Sequence, residues 1–295
     1  MGKYKYVIYE KEGNVATITL NRPEKLNAIV MLGYGEDYQD LMRALDEAAE
    51  DDDVKVVVLK GAGRAFCSGQ DLSQVGFVYG FGTGKAGERR PSQRARLRLD
   101  RKGFEGLFRI LLHPKLTVAQ VHGYCLEAGL VLAMFCDVTI AADDSIFGFP
   151  GQRLGFAGSG EPDIQFLALT IGLKRMRYMM LTGYRFGADE ALQMGLVQEV
   201  VKRDKLQERV DTVVNALCTL PKDGIAIGKA HLHMIYDSLG VTSGLSQGYI
   251  MHTMFTNLRF EEGEWNYFKS RRETGARDAF HKKDQLWKAF EDTRK

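Results

Sequence analysis

The alternation of strand-like and helix-like segments over residues 54 to 148 constrains the fold of this chain most. The run VKVVVLKG is rich in β-branched residues, which is typical of a strand that is buried on both faces of a sheet. A second candidate strand, LTVAQVHG, precedes an apolar helix at 128–135 and a third strand, DVTIAA. This strand–helix–strand order predicts an α/β fold.

The flanking segments predict how the rest of the chain is organised. YKYVIYE and NVATITL alternate around KEGN, which predicts a hairpin with Gly13 and Asn14 at its turn. Residues 32–50 place apolar side chains at helical spacing, and from about residue 162 the chain is mostly helical with one strand-like segment, GLVQEVV. We therefore predict an α/β core over 1–220 and a helical region over 221–295, which packs on the core or on a neighbouring subunit.

Composition argues against several classes of protein. The chain has 295 residues, 45% of them hydrophobic, and a formal net charge of +2, which is typical neither of a nucleic-acid binder nor of a disordered chain. The start, MGKYKYVIYE, lacks the apolar centre of a signal peptide, and no run approaches the roughly 18 apolar residues of a membrane helix. The four cysteines have no metal-type spacing. We expect a cytoplasmic protein with reduced thiols and no membrane partner.

Residues 73–102 differ from the rest of the chain. The segment begins rich in glycine, and from Lys85 to Lys102 it holds eight Lys or Arg and two acids. It is either a solvated loop that leads into a helix or a lid whose arginines meet phosphates. Residues 85–102 contain no aromatic side chain on which RNA bases could stack, which argues against a nucleic-acid partner.

Two segments carry small residues at a bend that leads toward a helix. They are GRAFCSGQDL at 63–72 and GYCLEAGL at 123–130. Each would expose backbone N–H groups, and such groups bind anions or a developing oxyanion. Two such donors converging on one thioester oxygen would stabilise an enolate. Small residues at bends are also ordinary turn chemistry, so this pattern alone leaves both interpretations open.

Longer stretches carry a resemblance to a known family. VATITLNRPEKLNAI, VKVVVLKGAGRAFCSGQDL, KLTVAQVHGYCLEAGLVLAMFCDVTIAADDSIFG, MLTGYRFGADEALQMGLVQEVV and RETGARDAFHKK together span nearly the whole chain. In this order they resemble the crotonase superfamily, the enoyl-CoA hydratases and isomerases. The resemblance implies a spiral of ββα units with a C-terminal helical region, assembled as trimers or pairs of trimers. It also implies an acyl-CoA substrate and no metal or redox cofactor.

The resemblance also implies roles for particular residues. The N–H groups of Ser68 and Ala128 would form the oxyanion hole. Asp71 would have a structural role as an acceptor from nearby backbone N–H groups, and Lys282 or Lys283 would reach a phosphate of CoA. The adenine and pantetheine of CoA would be surrounded by Lys25, Leu26, Ala28, Ala65, Gln70, Asp71 and Leu72.

The chain departs from the family at both usual catalytic acids. Hydratases of the family carry one glutamate where this chain has Val131 and another where it has Gly151. Each positioned general acid or base contributes roughly 10²–10⁴-fold in rate, so the loss matters. At positions 131 and 151 the chain resembles naphthoate synthases and related ring-opening hydrolases. It differs from those enzymes at Phe149, where they have a glutamine.

Three other acids could replace the missing pair. Glu161 and Asp163 lie near the point where several relatives place a catalytic aspartate, but SGEPD also has the composition of a helix start. Glu127 stands where the family usually has glycine, directly before the second oxyanion donor. If it is buried without a cation its pKa rises, which suits a general acid or base. Alternatively, its side chain points away and pairs with an arginine.

Three functions follow from these observations. The first is an acyl-CoA enzyme that hydrates or isomerises an enoyl-CoA, with Ser68, Ala128, Glu161 and Glu127 as candidate catalytic residues. The second is a C–C hydrolase or cyclase that acts on a bulky or cyclic acyl-CoA, for which the glycine-rich segment 76–87 would leave room. The third is a binding protein that kept the fold, lost the reaction and holds CoA or RNA through the basic segment.

Overall fold

The strands of the chain form two sheets. A computed structural model describes residues 3–30, 35–73, 92–158, 163–255 and 260–293. Within these ranges the strands are β1 (Val7–Glu12), β2 (Val15–Leu20), β3 (Val56–Gly61), β4 (Leu116–Val121), β5 (Tyr124–Leu126), β6 (Val138–Ala142), β7 (Ile146–Gly148), β8 (Arg185–Gly187) and β9 (Glu199–Val201).

The larger sheet has the order β1-β2-β3-β4-β6-β9. The β1–β2 pair is antiparallel and the other pairs are parallel. Gly13 at the hairpin turn has a φ of +56°, a left-handed conformation that glycine adopts without steric cost. The predicted hairpin and the strands predicted at VKVVVLKG, LTVAQVHG and DVTIAA are therefore confirmed, and the strand-like segment GLVQEVV contributes the three-residue β9. β3 lies between two neighbours, as its apolar composition indicates.

The smaller sheet, β5-β7-β8, was not predicted. Its strands have only three residues each, which is too short for a hydrophobic period to be read from the sequence. β5 and β7 run parallel, and β7 and β8 run antiparallel with Gly148 opposite Arg185. This sheet places the end of β5, where Glu127 follows, beside the end of β7.

Helices cover the sheets and form the C-terminal region. Within the described ranges they are α1 (Glu36–Glu50), α2 (Gln93–Leu111), α3 (Ala128–Phe135), α4 (Ile164–Ile171), α5 (Leu173–Thr182), α6 (Ala188–Gln193), α7 (Leu206–Cys218), α8 (Lys222–Ser238), α9 (Val241–Phe255), α10 (Tyr267–Thr274), α11 (Ala276–Gln285) and α12 (Lys288–Asp292). All eight residues of α3 are buried. None of the helices described here has the length and apolar character needed to cross a bilayer.

The helical region after residue 220 packs on the chain's own core. α8 begins at Lys222, and α9 lies against α2. Lys229 of α8 reaches Asp137, which precedes β6, with Nζ 2.5 Å from Oδ1. The packing agrees with one of the two predicted alternatives, whereas a domain boundary at 220 and a trimeric assembly stay predictions.

Replacing Lys229 by methionine should lower the free energy of unfolding by roughly 3 kcal/mol, because a largely buried carboxylate loses its cation. Asp137 keeps the hydrogen bonds that it accepts from the Thr117 N–H and hydroxyl. The loss in unfolding free energy should therefore lie at the low end of the range for a broken buried ion pair. Urea denaturation measures it. Lys222 on the same helix makes only exposed ion pairs, so Lys222→Met is the control and should leave stability nearly unchanged. Equal losses in the two variants would show that the Lys229–Asp137 pair contributes no more to stability than the exposed pairs of Lys222.

Candidate active site

The two bends predicted to hold an oxyanion lie side by side. Cys67 and Cys125 form an isolated parallel bridge, and the Leu126 N–H donates to the Cys67 carbonyl at 3.0 Å. Gly129 packs so closely that a Cβ there would lie 2.3 Å from the Cys67 carbonyl oxygen. Glycine at 129 therefore permits the close approach that brings residues 67–69 next to 126–129.

The two predicted donors differ in their availability. Ala128 is the first residue of α3, and its N–H has no acceptor in the part of the chain that the structure describes. The Ser68 N–H, in contrast, donates to the Leu26 carbonyl at 3.0 Å. Leu26 has a φ of +52° at the end of the 3-10 helix Pro23–Lys25. Of the two predicted donors, Ala128 therefore offers a thioester oxygen an open N–H group, whereas the Ser68 N–H becomes available only if the Leu26 carbonyl moves aside.

Glu127 has an unusual backbone conformation. Its φ is +50° and its ψ is −119°, a region that favours glycine and costs other residues of order 1–3 kcal/mol. Two backbone hydrogen bonds of 3.0 Å hold it there: the Glu127 N–H donates to the Gly148 carbonyl, and the Glu127 carbonyl accepts from the Val131 N–H. A residue kept in a strained conformation by its surroundings is a candidate for function.

The Glu127 carboxylate lies over Gly151. It accepts a hydrogen bond from the Gly151 N–H, and a Cβ at Gly151 would lie 3.0–3.2 Å from three atoms of the carboxyl group. On its other side, a Cβ at Gly69 would lie 2.6 Å from the Glu127 Cβ. Glu127 thus needs glycine at position 69, and a side chain at position 151 would have to displace its carboxylate by a few tenths of an ångström. Its carboxylate fills the space of a side chain at position 151, and it does not turn away to an arginine within the described chain.

The surroundings of Glu127 favour its neutral form. Burial raises the pKa of Glu127 to about 8, the neighbouring Asp163 carboxylate adds to this rise, and the hydrogen bond from the Gly151 N–H partly offsets it. At pH 7 about one tenth of Glu127 would be ionised. A pKa near the working pH is what a group needs in order to accept and return a proton.

Asp163 is a second buried carboxyl group. It is 1% exposed, and neither of its carboxylate oxygens has a hydrogen-bond partner among the described residues. Burial raises the pKa of Asp163 to about 7. It immediately precedes α4, which begins at Ile164, and its side chain does not cap the helix. Glu161, the other acid predicted in this segment, lies outside the described residues.

The position of the other missing acid is apolar. Val131 lies inside α3 and is 1% exposed in the main hydrophobic core. The residues of α3 offer an ionised side chain there no partner, because they are apolar or glycine. Glu127, which directly precedes Ala128 in the chain, stands at neither of the two positions at which the resemblance implies a glutamate.

The residues predicted to surround CoA form one patch. The Ser68 N–H joins this patch to Leu26, Ile29 bridges to Gln70, and the Asn27 side-chain amide donates to the Ala65 carbonyl at 2.8 Å. The predicted residues that these contacts bring together are Lys25, Leu26, Ala28, Ala65, Gln70, Asp71 and Leu72. Their role toward CoA stays a prediction.

Asp71 is held by its neighbours. It accepts hydrogen bonds from the N–H and the hydroxyl of Ser73 at 3.0 and 2.6 Å and pairs with Arg22 at 3.1 Å, and these hydrogen bonds hold its pKa below the ordinary value although burial opposes them. Arg22 also contacts Asp37 and the Ala28 carbonyl. We did not predict this arginine, which joins the two halves of the patch, because its partners lie far apart in the sequence.

The two predicted phosphate-binding lysines lie at the end of α11. The Lys283 ammonium lies 4.8 Å from the centroid of the Trp265 ring. In the preceding helix, α10, the Tyr267 hydroxyl and the Arg271 guanidinium donate to the Leu72 carbonyl at 3.5 and 3.4 Å. The C-terminal helices therefore reach the predicted CoA patch of the same chain, and contact of Lys282 or Lys283 with a phosphate stays a prediction.

Comparisons with known proteins identify the class to which this fold and site belong. The sequence profile of the enoyl-CoA hydratase/isomerase family matches residues 10–274. The chain therefore belongs to the enoyl-CoA hydratase/isomerase family, which confirms the resemblance to the crotonase superfamily and the predicted fold class.

Individual relatives agree with this assignment. The chain is 31% identical over 274 residues to the Mycobacterium tuberculosis protein that carries the name enoyl-CoA hydratase EchA13. The matched region covers 85% of this chain and 81% of that protein. A crystal structure of an enoyl-CoA hydratase/isomerase from Xanthobacter autotrophicus Py2 matches with a TM-score of 0.83 at 29% identity, over 96% of this chain and 99% of that chain. An enoyl-CoA hydratase structure from Mycobacterium smegmatis matches with a TM-score of 0.80 at 25% identity, over 96% and 94% of the two chains.

Proposed function

We propose that this protein isomerises an enoyl-CoA, using Glu127 as its only proton-transferring carboxylate. One observation carries the proposal: the Glu127 carboxylate lies over Gly151, and Glu127 directly precedes Ala128, whose N–H is open among the described residues. Family membership and the names of the relatives support a CoA thioester as the substrate.

The geometry supports the following steps. The thioester oxygen accepts a hydrogen bond from the Ala128 N–H at the start of α3, where the helix dipole favours negative charge. Ionised Glu127 removes a proton from the carbon next to the thioester, and the electron pair moves into a dienolate. Protonated Glu127 then returns the proton to the γ-carbon, so the double bond moves from the β,γ to the α,β position. One carboxylate serves both halves of this reaction.

Hydration is the second candidate. It requires one group to activate water and another to protonate the α-carbon, and neither usual position can supply the second group. Asp163 could do so, because its carboxyl group is buried, lacks hydrogen-bond partners in the described chain and lies near enough to raise the pKa of Glu127. C–C bond chemistry remains the third candidate, but the glycine-rich segment 76–87 on which it depends lies outside the described residues.

The RNA-binding alternative loses support. It depends on the basic segment from Lys85 to Lys102, of which residues 85–91 lie outside the described residues. The described part of this segment carries four exposed cations, Arg94, Arg98, Arg101 and Lys102, whereas Arg96 is 2% exposed. The whole segment contains no aromatic side chain on which the bases of single-stranded RNA could stack, which argues against this alternative.

A comparison of two thioesters tests the proposed reaction. The purified protein is mixed separately with 3-hexenoyl-CoA and with crotonyl-CoA, and the absorbance of the conjugated thioester is followed. Isomerisation predicts that conjugation appears with 3-hexenoyl-CoA faster than it disappears with crotonyl-CoA. Faster loss from crotonyl-CoA that Asp163→Asn abolishes would select hydration. Binding of both thioesters without turnover would favour C–C chemistry or a non-catalytic binder.

The rate of isomerisation should depend on pH through Glu127. The carboxyl group must be ionised to accept the proton, and its raised pKa keeps it protonated below about pH 8. Accordingly, kcat/KM should fall about tenfold for each pH unit below that midpoint and level off above it. Asp163→Asn should lower the midpoint, since the Asp163 carboxylate raises the pKa of Glu127. A rate that falls above pH 8 would instead mean that Glu127 begins the reaction as an acid.

A further inference from the structure

Residues 148–151 hold Glu127 at two points. The Gly148 carbonyl accepts from the Glu127 N–H at 3.0 Å, and the Gly151 N–H donates to the Glu127 carboxylate. The position of this segment therefore sets both the backbone and the carboxylate of the proposed acid–base residue.

Two arginines flank this segment. Arg153 lies in the same short 3-10 helix as Gly151, Pro150–Leu154. Arg185 lies opposite Gly148 in the β7–β8 pair. One arginine thus follows the Gly151 contact along the chain, and the other lies across the sheet from the Gly148 contact.

Both arginines bind the same two acids of the C-terminal helices. Arg153 contacts Asp284 of α11 at 2.6 Å and Glu291 of α12 at 2.7 Å. Arg185 contacts the second oxygens of the same carboxylates at 2.7 and 2.8 Å. We call Arg153, Arg185, Asp284 and Glu291 the C-terminal clamp. Its two positive and two negative charges balance.

The Arg153 side chain is the most enclosed member of the clamp. It is 1% exposed, its Nε donates to the Thr182 carbonyl at 2.9 Å, and its guanidinium carbon lies 5.0 Å from the centroid of the Trp287 ring. An arginine fixed by this many partners has little freedom to move. The short helix that carries both Arg153 and Gly151 is therefore held to α11 and α12.

We propose that the C-terminal clamp is a positioning element for Glu127: α11 and α12, through Asp284 and Glu291, keep the Gly151 N–H on the Glu127 carboxylate. This inference rests on the proposed role of Glu127. The clamp residues do not touch the substrate themselves; they act through residues 148–151. Because a misplacement of about 1 Å can cost as much as 10²-fold in rate, loosening this short helix should reduce turnover.

Loosening the clamp should also change the ionisation of Glu127. The hydrogen bond from the Gly151 N–H lowers the pKa of Glu127. When that bond weakens, the pKa should rise further. The charged group that acts on Glu127 is Asp163, directly before α4, and it lies outside the clamp. A rise in pKa would therefore report on the Gly151 contact.

The test uses Asp284→Asn and Glu291→Gln in the full chain. The control is Glu199→Gln, because Glu199 makes a bidentate pair with Arg209 at 2.6 and 2.7 Å, outside residues 148–151. We measure kcat and KM for 3-hexenoyl-CoA and titrate the ¹³C-labelled glutamate carboxyl groups by NMR. The Glu127 signal is identified by its loss in Glu127→Gln.

Asp284→Asn should lower kcat about tenfold, change KM by less than about threefold and raise the titration midpoint of Glu127 by about half a unit or more. Glu291→Gln should also lower kcat and raise the Glu127 midpoint, and Glu199→Gln should change neither kcat nor the midpoint. If the clamp only fastens the C-terminal helices, thermal stability falls while kcat and the Glu127 midpoint match the control, and the inference is overturned. If the wild-type protein turns over no thioester but the Glu127 midpoint still rises in both clamp variants, the positioning role of the clamp is supported and the proposed function is wrong.

Discussion

Replacing Glu127 by glutamine should lower kcat about 10²–10⁴-fold, because the change removes the carboxylate that takes and returns the proton. Glutamine keeps the size of the side chain and can still accept from the Gly151 N–H, so the fold and the binding of CoA thioesters should be preserved. Steady-state kinetics with 3-hexenoyl-CoA measures the first effect, and calorimetric titration with a non-reactive acyl-CoA measures the second.

The matched control for this experiment is Glu24→Gln. Glu24 is exposed on the 3-10 helix Pro23–Lys25, beside the predicted CoA patch, so its loss changes the local charge without changing the reacting group. Its kcat should stay within about twofold of the wild-type value, as expected for a surface substitution. If Glu127→Gln also retains wild-type kcat, the proton is transferred by another group, and Asp163 becomes the next candidate.

The double variant Glu127→Gly, Gly151→Glu should recover at least about tenfold in kcat over either single variant. Glu127→Gly alone removes the carboxylate. Gly151→Glu alone places a Cβ within 3.0–3.2 Å of the Glu127 carboxyl group, so one of the two side chains must move out of position. The double change puts an acid at a position where the resemblance implies a glutamate, and it puts glycine at the residue whose φ is +50°.

The control for the exchange is the double variant Glu127→Gly, Gly151→Gln. It has the same relief of backbone strain and nearly the same volume at position 151, but no acid. It should remain as inactive as Glu127→Gly when both are assayed with the same thioester. Equal recovery in the two double variants would falsify the exchange, because the gain would then come from the backbone and not from the carboxylate.

The two N–H groups predicted to form the oxyanion hole differ in availability, which would couple them to substrate binding. The Ala128 N–H is open at the start of α3, whereas the Ser68 N–H donates to the Leu26 carbonyl. Leu26 also belongs to the predicted CoA patch. A ligand that displaces the Leu26 carbonyl would release the Ser68 N–H, so binding of CoA and completion of the two-donor site would be coupled.

Sequence patterns were sufficient for the longer elements of the fold. The hairpin around Gly13 and the apolar strand β3 follow from side-chain period and turn chemistry, which are local properties. The short strands β5, β7 and β8 were missed, because three residues carry no measurable period and pair only when the surrounding chain is folded. These strands position Glu127, so this part of the site could not be placed in advance.

The sequence alone determined the α/β class, the family resemblance and the absence of acids at positions 131 and 151, since each of these depends on residue type and order along the chain. Only the tertiary structure showed that the Glu127 carboxylate lies over Gly151. Glu127 and Gly151 are 24 residues apart, and no local pattern indicates that one fills the space left by the other. In the C-terminal clamp, Arg153 pairs with Asp284 and Glu291, which follow it in the chain by 131 and 138 positions. At such separations, charge pairing depends on the folded path of the backbone.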